Sequence, residues 1–147
     1  MAGSTIVAVT QGLVDFFSGL TGLGDVQVTY AWPGAGKTER KSVWFAEANG
    51  DFEQASIRSG RRRRIETIEL RTIIEVIGFG KSQEEADTAA IDILTEIETA
   101  LADDVFADMS DLVEWIIPRR WTRTQGQLDT GHGSRIELTL EVSARIL

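Results

Sequence analysis

Arg135-Ile-Glu-Leu-Thr-Leu-Glu-Val-Ser-Ala-Arg-Ile146 decides the fold class. Ile136, Leu138, Leu140, Val142, Ala144 and Ile146 fall on one side, and Arg135, Glu137, Thr139, Glu141, Ser143 and Arg145 on the other. A period of two residues means a strand with one face in the core and one in a polar setting. Such a two-faced strand belongs to an antiparallel or mixed sheet, because strands of an all-parallel sheet are apolar on both faces.

Working back from that strand, Gly126 to Gly133 reads as a turn. Residues 112–123 hold Leu112, Val113, Trp115, Ile116 and Ile117 and then Pro118, which suits a strand interrupted or edged by the proline. Ser82 opens a helix, with Glu85 three residues on completing a capping box. Its apolar stripe is Ala86, Ala90, Ile93, Leu94, Ile97 and Leu101. A long strand runs from Ile65 to Phe79, with Ile68, Leu70, Ile74 and Val76 toward the core. Residues 49–64 are polar, punctuated by glycine and without periodicity, and read as a long basic loop.

Nearer the N-terminus, Ser42 to Ala48 reads as a strand in hairpin relation to residues 25–32, with Pro33, Gly34 and Gly36 turning the chain. In the earlier strand Val26, Val28, Tyr30 and Trp32 alternate with Asp25, Gln27 and Thr29. Residues 4–20 form a helix on the spacing of Ile6, Val9, Leu13, Phe17 and Leu20. The order is α-β-β-β-α-β-β. The expected architecture is one α+β domain over residues 1–147, a mixed or antiparallel sheet with two helices packed on one face.

At 147 residues with 42% hydrophobic and 26% charged residues, the chain has a globular balance and the means to bury a core. It has no cysteine and a single histidine, His132, so thiolate chemistry and a multi-histidine zinc centre are excluded within one chain. The apolar N-terminal stretch lacks a basic start and carries Gln11, Gly12, Asp15, Gly19 and Gly22, so neither a signal peptide nor a membrane span is expected. A cytoplasmic protein, or one built into something assembled there, is expected.

Net charge is −8, which argues against a general nucleic-acid coat. The charge is split. Residues 82–118 hold eleven acids and no Lys or Arg, whereas Arg58, Arg61, Arg62, Arg63 and Arg64 crowd the loop. Complementary patches on one chain suit contact between molecules, and a solvated surface is the plain alternative. No aromatic residue is interleaved with the arginines, so base stacking is not indicated. An acidic protein surface, including another copy of this chain, is the preferred partner for these five residues.

Other motifs carry less. Residues 31–38, Ala-Trp-Pro-Gly-Ala-Gly-Lys-Thr, fit a relaxed phosphate-binding loop. Such a loop needs a helix starting at Lys37, and residues 39–48 alternate as a strand instead, so a turn is the better reading. His132 lies between two glycines near Asp129 with no nucleophile in view. Asp103 and Asp104 lack the spacing of a calcium loop. Trp32, Trp44, Trp115 and Trp121 sit in or beside strands and suit a core or a subunit interface. The chain is expected not to be an enzyme, to need no cofactor and to hold no metal.

Several segments, taken in order, resemble the tail terminator proteins of long-tailed, siphovirus-like bacteriophages. They are the N-terminal helix; Tyr30-Ala31-Trp32-Pro33-Gly34; Ser42-Val43-Trp44-Phe45; the arginine-rich stretch leading into Ile65 to Phe79; Ser82-Gln83-Glu84-Glu85-Ala86; and Ile136-Glu137-Leu138-Thr139-Leu140-Glu141-Val142. The resemblance covers nearly the whole chain and rests on element order and diffuse matches, without a catalytic signature. It implies a structural virion protein that forms a hexameric ring on the head-proximal end of the tail tube. The ring stops polymerisation and joins the tail to the head. The implied partners are the major tail tube protein and the head–tail connector protein, with DNA passing through unbound. The implied location is the virion tail, with the host cytoplasm as the place of assembly. Another head–tail joining protein, a nucleotide-binding protein using Lys37 and Thr38, and a nucleic-acid binder using the arginines are the alternatives.

Overall fold

Five strands and two long helices account for most of the chain in a computed structural model, which describes residues 4–37, 39–58, 61–78, 80–103, 109, 111–128 and 131–146; the side chains at 54–58, 61–64, 127 and 128 stand outside the description. The elements are α1 (Ile6–Ser18), a short 3-10 turn (Thr21–Leu23), β1 (Gln27–Thr29), β2 (Lys41–Arg58), β3 (Arg61–Val76), α2 (Gln83–Ala102), β4 (Val113–Leu128) and β5 (Gly131–Ile146). They form one mixed sheet in the order β1-β2-β3-β5-β4 with both helices on one face, the α+β arrangement expected.

β5 lies inside the sheet, and its alternation is obeyed. Ile136, Leu138, Leu140, Val142, Ala144 and Ile146 are all buried. The first five meet Ile68, Leu70, Ile74 and Val76 of β3 and Val43 and Phe45 of β2 beneath the helices. α2 contributes Ala89, Ala90, Ile93, Leu94, Ile97 and Leu101 to this core, and α1 contributes Val9, Leu13 and Phe17. The capping box forms as expected on one side: Ser82 Oγ accepts from the Glu85 N–H at 3.3 Å. The Glu85 carboxylate reaches back to the N–H of Lys81, one residue before the cap.

The start of α1 is held differently. Thr5 occupies the cap position, but its hydroxyl donates to Glu66 Oε1 (2.7 Å) and its N–H to the same oxygen (2.9 Å). Glu66 is buried in β3, so a strand carboxylate satisfies donors at the positive end of this helix.

The opposite sheet face carries no helix. It is covered by a lattice of ion pairs between strands: Arg71 with Glu137 and Glu47, Arg119 with Glu141, Arg135 with Glu75 and Arg145 with Glu114 join neighbours, and Arg120 reaches Glu69 across β5. Trp44 and Ile73, paired across β2 and β3, are buried on this face, with the Arg135 guanidinium 5.9 Å from the Trp44 ring centre.

Three expectations are corrected. Residues 49–64 are not a long loop. β2 and β3 stay paired from Lys41↔Val76 out to Arg58↔Arg61, with bulges between Phe45 and Ala48 and between Gln54 and Ser56. Positions 46–53 of β2 are all exposed, so they alternate no apolar face into a core and leave no period of two in the sequence. Second, β1 pairs with β2 in parallel (Gln27↔Ser42 to Thr29↔Trp44), not as a hairpin. The Gln27 side chain fixes this return. It accepts from the Glu39 N–H (3.0 Å) and the Ser42 hydroxyl (3.3 Å) and donates to the Lys37 carbonyl (3.2 Å), so the chain re-enters at the start of β1 rather than at its end. Third, the Gly126–Gly133 stretch is mostly strand, since β4 and β5 remain paired to Leu128↔Gly131. Gly131 has φ +135°, and a Cβ there would lie 3.3 Å from Gly78 Cα, which makes glycine the fitting residue. β3 ends at Val76, and Phe79 lies outside the described residues.

Pro118 sits where its missing N–H does least harm, on edge strand β4 at a bulge between Pro118 and Arg120.

Candidate functional site

Backbone pairing places Arg58, Arg61, Arg62, Arg63 and Arg64 together at the end of the β2–β3 hairpin. Arg61 opposes Arg58, Arg62 opposes Ile57, Arg63 opposes Ser56 and Arg64 opposes Gln54. Arg64 also faces Ile146 of β5, and among the described residues Arg61, Arg62 and Arg63 are flanked only by β2. The sequence grouped these five residues correctly. It gave them a floppy setting, and the backbone gives them a strand-borne one. Their side chains lie outside the described residues.

The acids expected to oppose them lie mainly on the solvent side of α2, where Glu84, Glu85, Asp92, Glu96 and Glu98 are exposed. Asp103 ends the helix, and Asp104 and Asp108 lie outside the described residues. Asp87 behaves differently from the rest. Its carboxylate binds Arg123 and the Gln125 amide (3.0 Å) of β4 and accepts from Gln83 (3.2 Å). Gln83 also donates to the Gly133 carbonyl of β5 (2.8 Å). The buried Ser134 hydroxyl, which lacks a well-formed hydrogen bond, lies beside the same carboxylate. Burial pushes the Asp87 carboxyl up, but Ser134, Gln125, Gln83 and the Arg123 charge together outweigh it and hold it below the usual carboxylate range. Asp87 is thus a structural knot between α2 and the two last strands. Sequence reasoning counted it as one more surface acid, since its β4 partner Gln125 lies 38 residues away.

The segment resembling a phosphate loop is a turn. The Lys37 N–H donates to the Gly34 carbonyl at 3.2 Å, Gly34 and Gly36 have φ +104° and +75°, and strand β2 follows from Lys41. A phosphate loop needs a helix there to aim its amides at the ligand, so the geometry it depends on is missing. Thr38 lies outside the described residues. Lys41, 2.8 Å from Asp25, hydrogen-bonds that carboxyl and holds it below its usual range.

His132 belongs to β5, opposite Gln127 near the end of the β4–β5 hairpin, and Asp129 lies outside the described residues. Among the described residues no group of three His, Asp or Glu side chains is arranged to hold a metal, and no helix is long and apolar enough to cross a membrane. A cleft of about 340 Å³ at one end of the sheet is lined by Glu75, Val76, Thr124, Gln125, Ser134 and Arg135. Of these, Arg135 and Glu75 form an ion pair at 4.0 Å.

The tryptophans divide. Trp44 is buried and Trp115 half-buried, whereas Trp32 and Trp121 are 57% and 54% exposed. Compared with known proteins, the chain matches no family model and no curated protein.

Proposed function

We propose that the chain is a structural virion protein of a phage tail, a terminator-like subunit. In this reading it assembles as a six-membered ring at the head-proximal end of the tail tube, halts tube growth and presents a surface to the head connector. It acts by assembly and not by catalysis. The observation that carries the reading is the long β2–β3 hairpin with Arg58 and Arg61–Arg64 at its end, set against the exposed acids of α2. Head-to-tail ring closure requires two unlike, complementary patches on each copy, and this chain has them. Acids facing a central channel would repel phosphates and let DNA pass without sticking.

The test adds the purified full chain to tubes growing from tail tube protein. Capped tubes of fixed length with a six-copy ring at one end are expected. Tubes that elongate at an unchanged rate, with the chain absent from their ends, would overturn the reading. Normal tube growth combined with binding to the head connector alone would assign the chain to another place in the head–tail joint.

A further inference from the structure

The two edges of the sheet differ in a way that bears on how copies meet. Beyond its short contact with β1, the outer side of β2 has no strand beside it among the described residues, and neither has the outer side of β4. Free edges offer a row of backbone donors and acceptors to another chain, and proteins ordinarily blunt them with charge, proline or bulges. Here the charges are sorted by sign. Residues 46–53 of β2 carry Glu47, Asp51 and Glu53 and no Lys or Arg. Residues 115–128 of β4 carry Arg119, Arg120 and Arg123 and no acid.

The faces match as well. Asp51 and Glu53 pair with Thr67 and Ile65 of β3, and Arg120 and Thr124 pair with Thr139 and Arg135 of β5, so all four lie on the face without helices. Phe52 opposes Glu66, and Trp121 opposes Leu138, so both aromatics lie on the helix side. They are 58% and 54% exposed. Arg120 already lies 3.8 Å from Glu69, yet its side chain stays 70% exposed and open to a second carboxylate.

We infer that β4 of one copy pairs with the outer part of β2 of the next, continuing one sheet from subunit to subunit. The inference rests on the ring reading above and names the surfaces that close the ring. β2 and β5 run one way and β3 and β4 the other. Rotation about an axis along the strands keeps these directions, so β4 meets the neighbouring β2 antiparallel and the sheet's alternation carries across the joint. With Phe52 opposite Trp121 on the helix side, Glu53 faces Arg120 on the other face and Asp51 lies diagonal to it, while Arg119 and Arg123 stay with Glu141 and Asp87. Two-fold pairing of like edges would instead set arginine against arginine or acid against acid, which disfavours a closed dimer.

The experiment measures native mass and sedimentation of the full chain across concentration in four forms. They are the unaltered chain, Asp51→Lys with Glu53→Lys, Arg120→Glu with Thr124→Glu, and all four substitutions together. Circular dichroism reports whether each is folded. Each single-edge variant should raise the concentration at which the assembly half-dissociates by about tenfold or more, from several lost or reversed cross-strand pairs per joint. The four-fold variant, which again sets opposite charges against each other across the joint, should return to within about threefold of the unaltered chain. Hydrogen exchange on the unaltered chain gives a reading that needs no variant to fold: amides in 46–53 and 120–125 should become protected as the assembly forms. An assembly indifferent to the single-edge variants, one that leaves both segments unprotected, a dimer as the final species, or a monomer at every concentration would each overturn the edge pairing. Capping of tubes is scored separately, so the tail-end reading stands or falls on its own result.

Discussion

Glu66 and Asp87 are the two carboxylates whose places matter most to the fold, and neither is conspicuous as a residue type. Glu66 is buried and accepts twice from Thr5 at the start of α1, so it ties that helix to the middle of the sheet. Asp87 ties α2 to β4 through Arg123 and Gln125. Its depressed folded-state value sets the sign of a pH effect. The stabilisation is fully present above the ordinary carboxylate value of 3.8 and is lost as pH falls through the lower folded-state value. Asp87→Asn should therefore lower the denaturation midpoint at neutral pH, and the gap to the parent should narrow as both approach acid unfolding. Urea titrations at pH 7 and pH 3 check this, and a gap that widens in acid would show that Asp87 is not held as its charged form.

At the scale of elements, β5 is the strand on which everything else is registered. It lies between β3 and β4 and packs beneath α2. Leu138 and Leu140 are almost wholly buried, so replacing either by alanine should cost about 2–5 kcal/mol through lost transfer energy and the cavity left behind. Glu137 and Glu141 point to the ion-pair face, beside Arg71 and Arg119, and their replacement by alanine should move the midpoint far less. Thermal or urea unfolding of the four single variants measures both halves of the statement. A larger loss at the glutamates than at the leucines would place β5 out of register by one residue. The β2–β3 hairpin obeys a different rule. The outer part of β2 is exposed and is held by backbone pairing to β3, whose own Ile68 stays in the core, which is why positions 46–53 escape a search for amphipathic periods.

For the whole molecule, charge is arranged in several separable sets: arginines at the hairpin end, acids along α2, and opposite signs on the two sheet edges. Replacing Arg61 to Arg64 by serine should leave the isolated chain folded, because their strands are held by backbone pairing and by the inner sheet. Each exposed charge pair contributes about 0–1 kcal/mol, but a ring repeats the contact in every copy. On the terminator reading proposed above, the serine variant should weaken docking or closure and give tails of uncontrolled length or tails that fail to join heads. Raising salt should weaken the parent contact in the same direction, since exposed charges are screened over about 8–10 Å. Electron microscopy of particles carrying the variant, with circular dichroism of the free chain, tests this. Normal tails with a folded chain would show the arginines to be solvated only.

The sequence alone determined the elements whose cause is local. β5 was legible because alternate residues must face opposite sides of a sheet, and α2 because Ser82 and Glu85 cap it and its apolar stripe repeats every three to four residues. From these came the α+β class, the helices on one face and the grouping of Arg58 with Arg61–Arg64. Tertiary structure decided whatever depends on distant partners. The parallel return of β1 hangs on the Gln27 side chain meeting Glu39 and Ser42. The cap of α1 comes from Glu66, 61 residues away. Residues 49–58 became part of β2 because β3, anchored between β2 and β5, extends a backbone template beside them. Main-chain hydrogen bonds are blind to side-chain type, so strands held by them outside the core leave no periodic mark in the sequence; only the assembled sheet brings them into view.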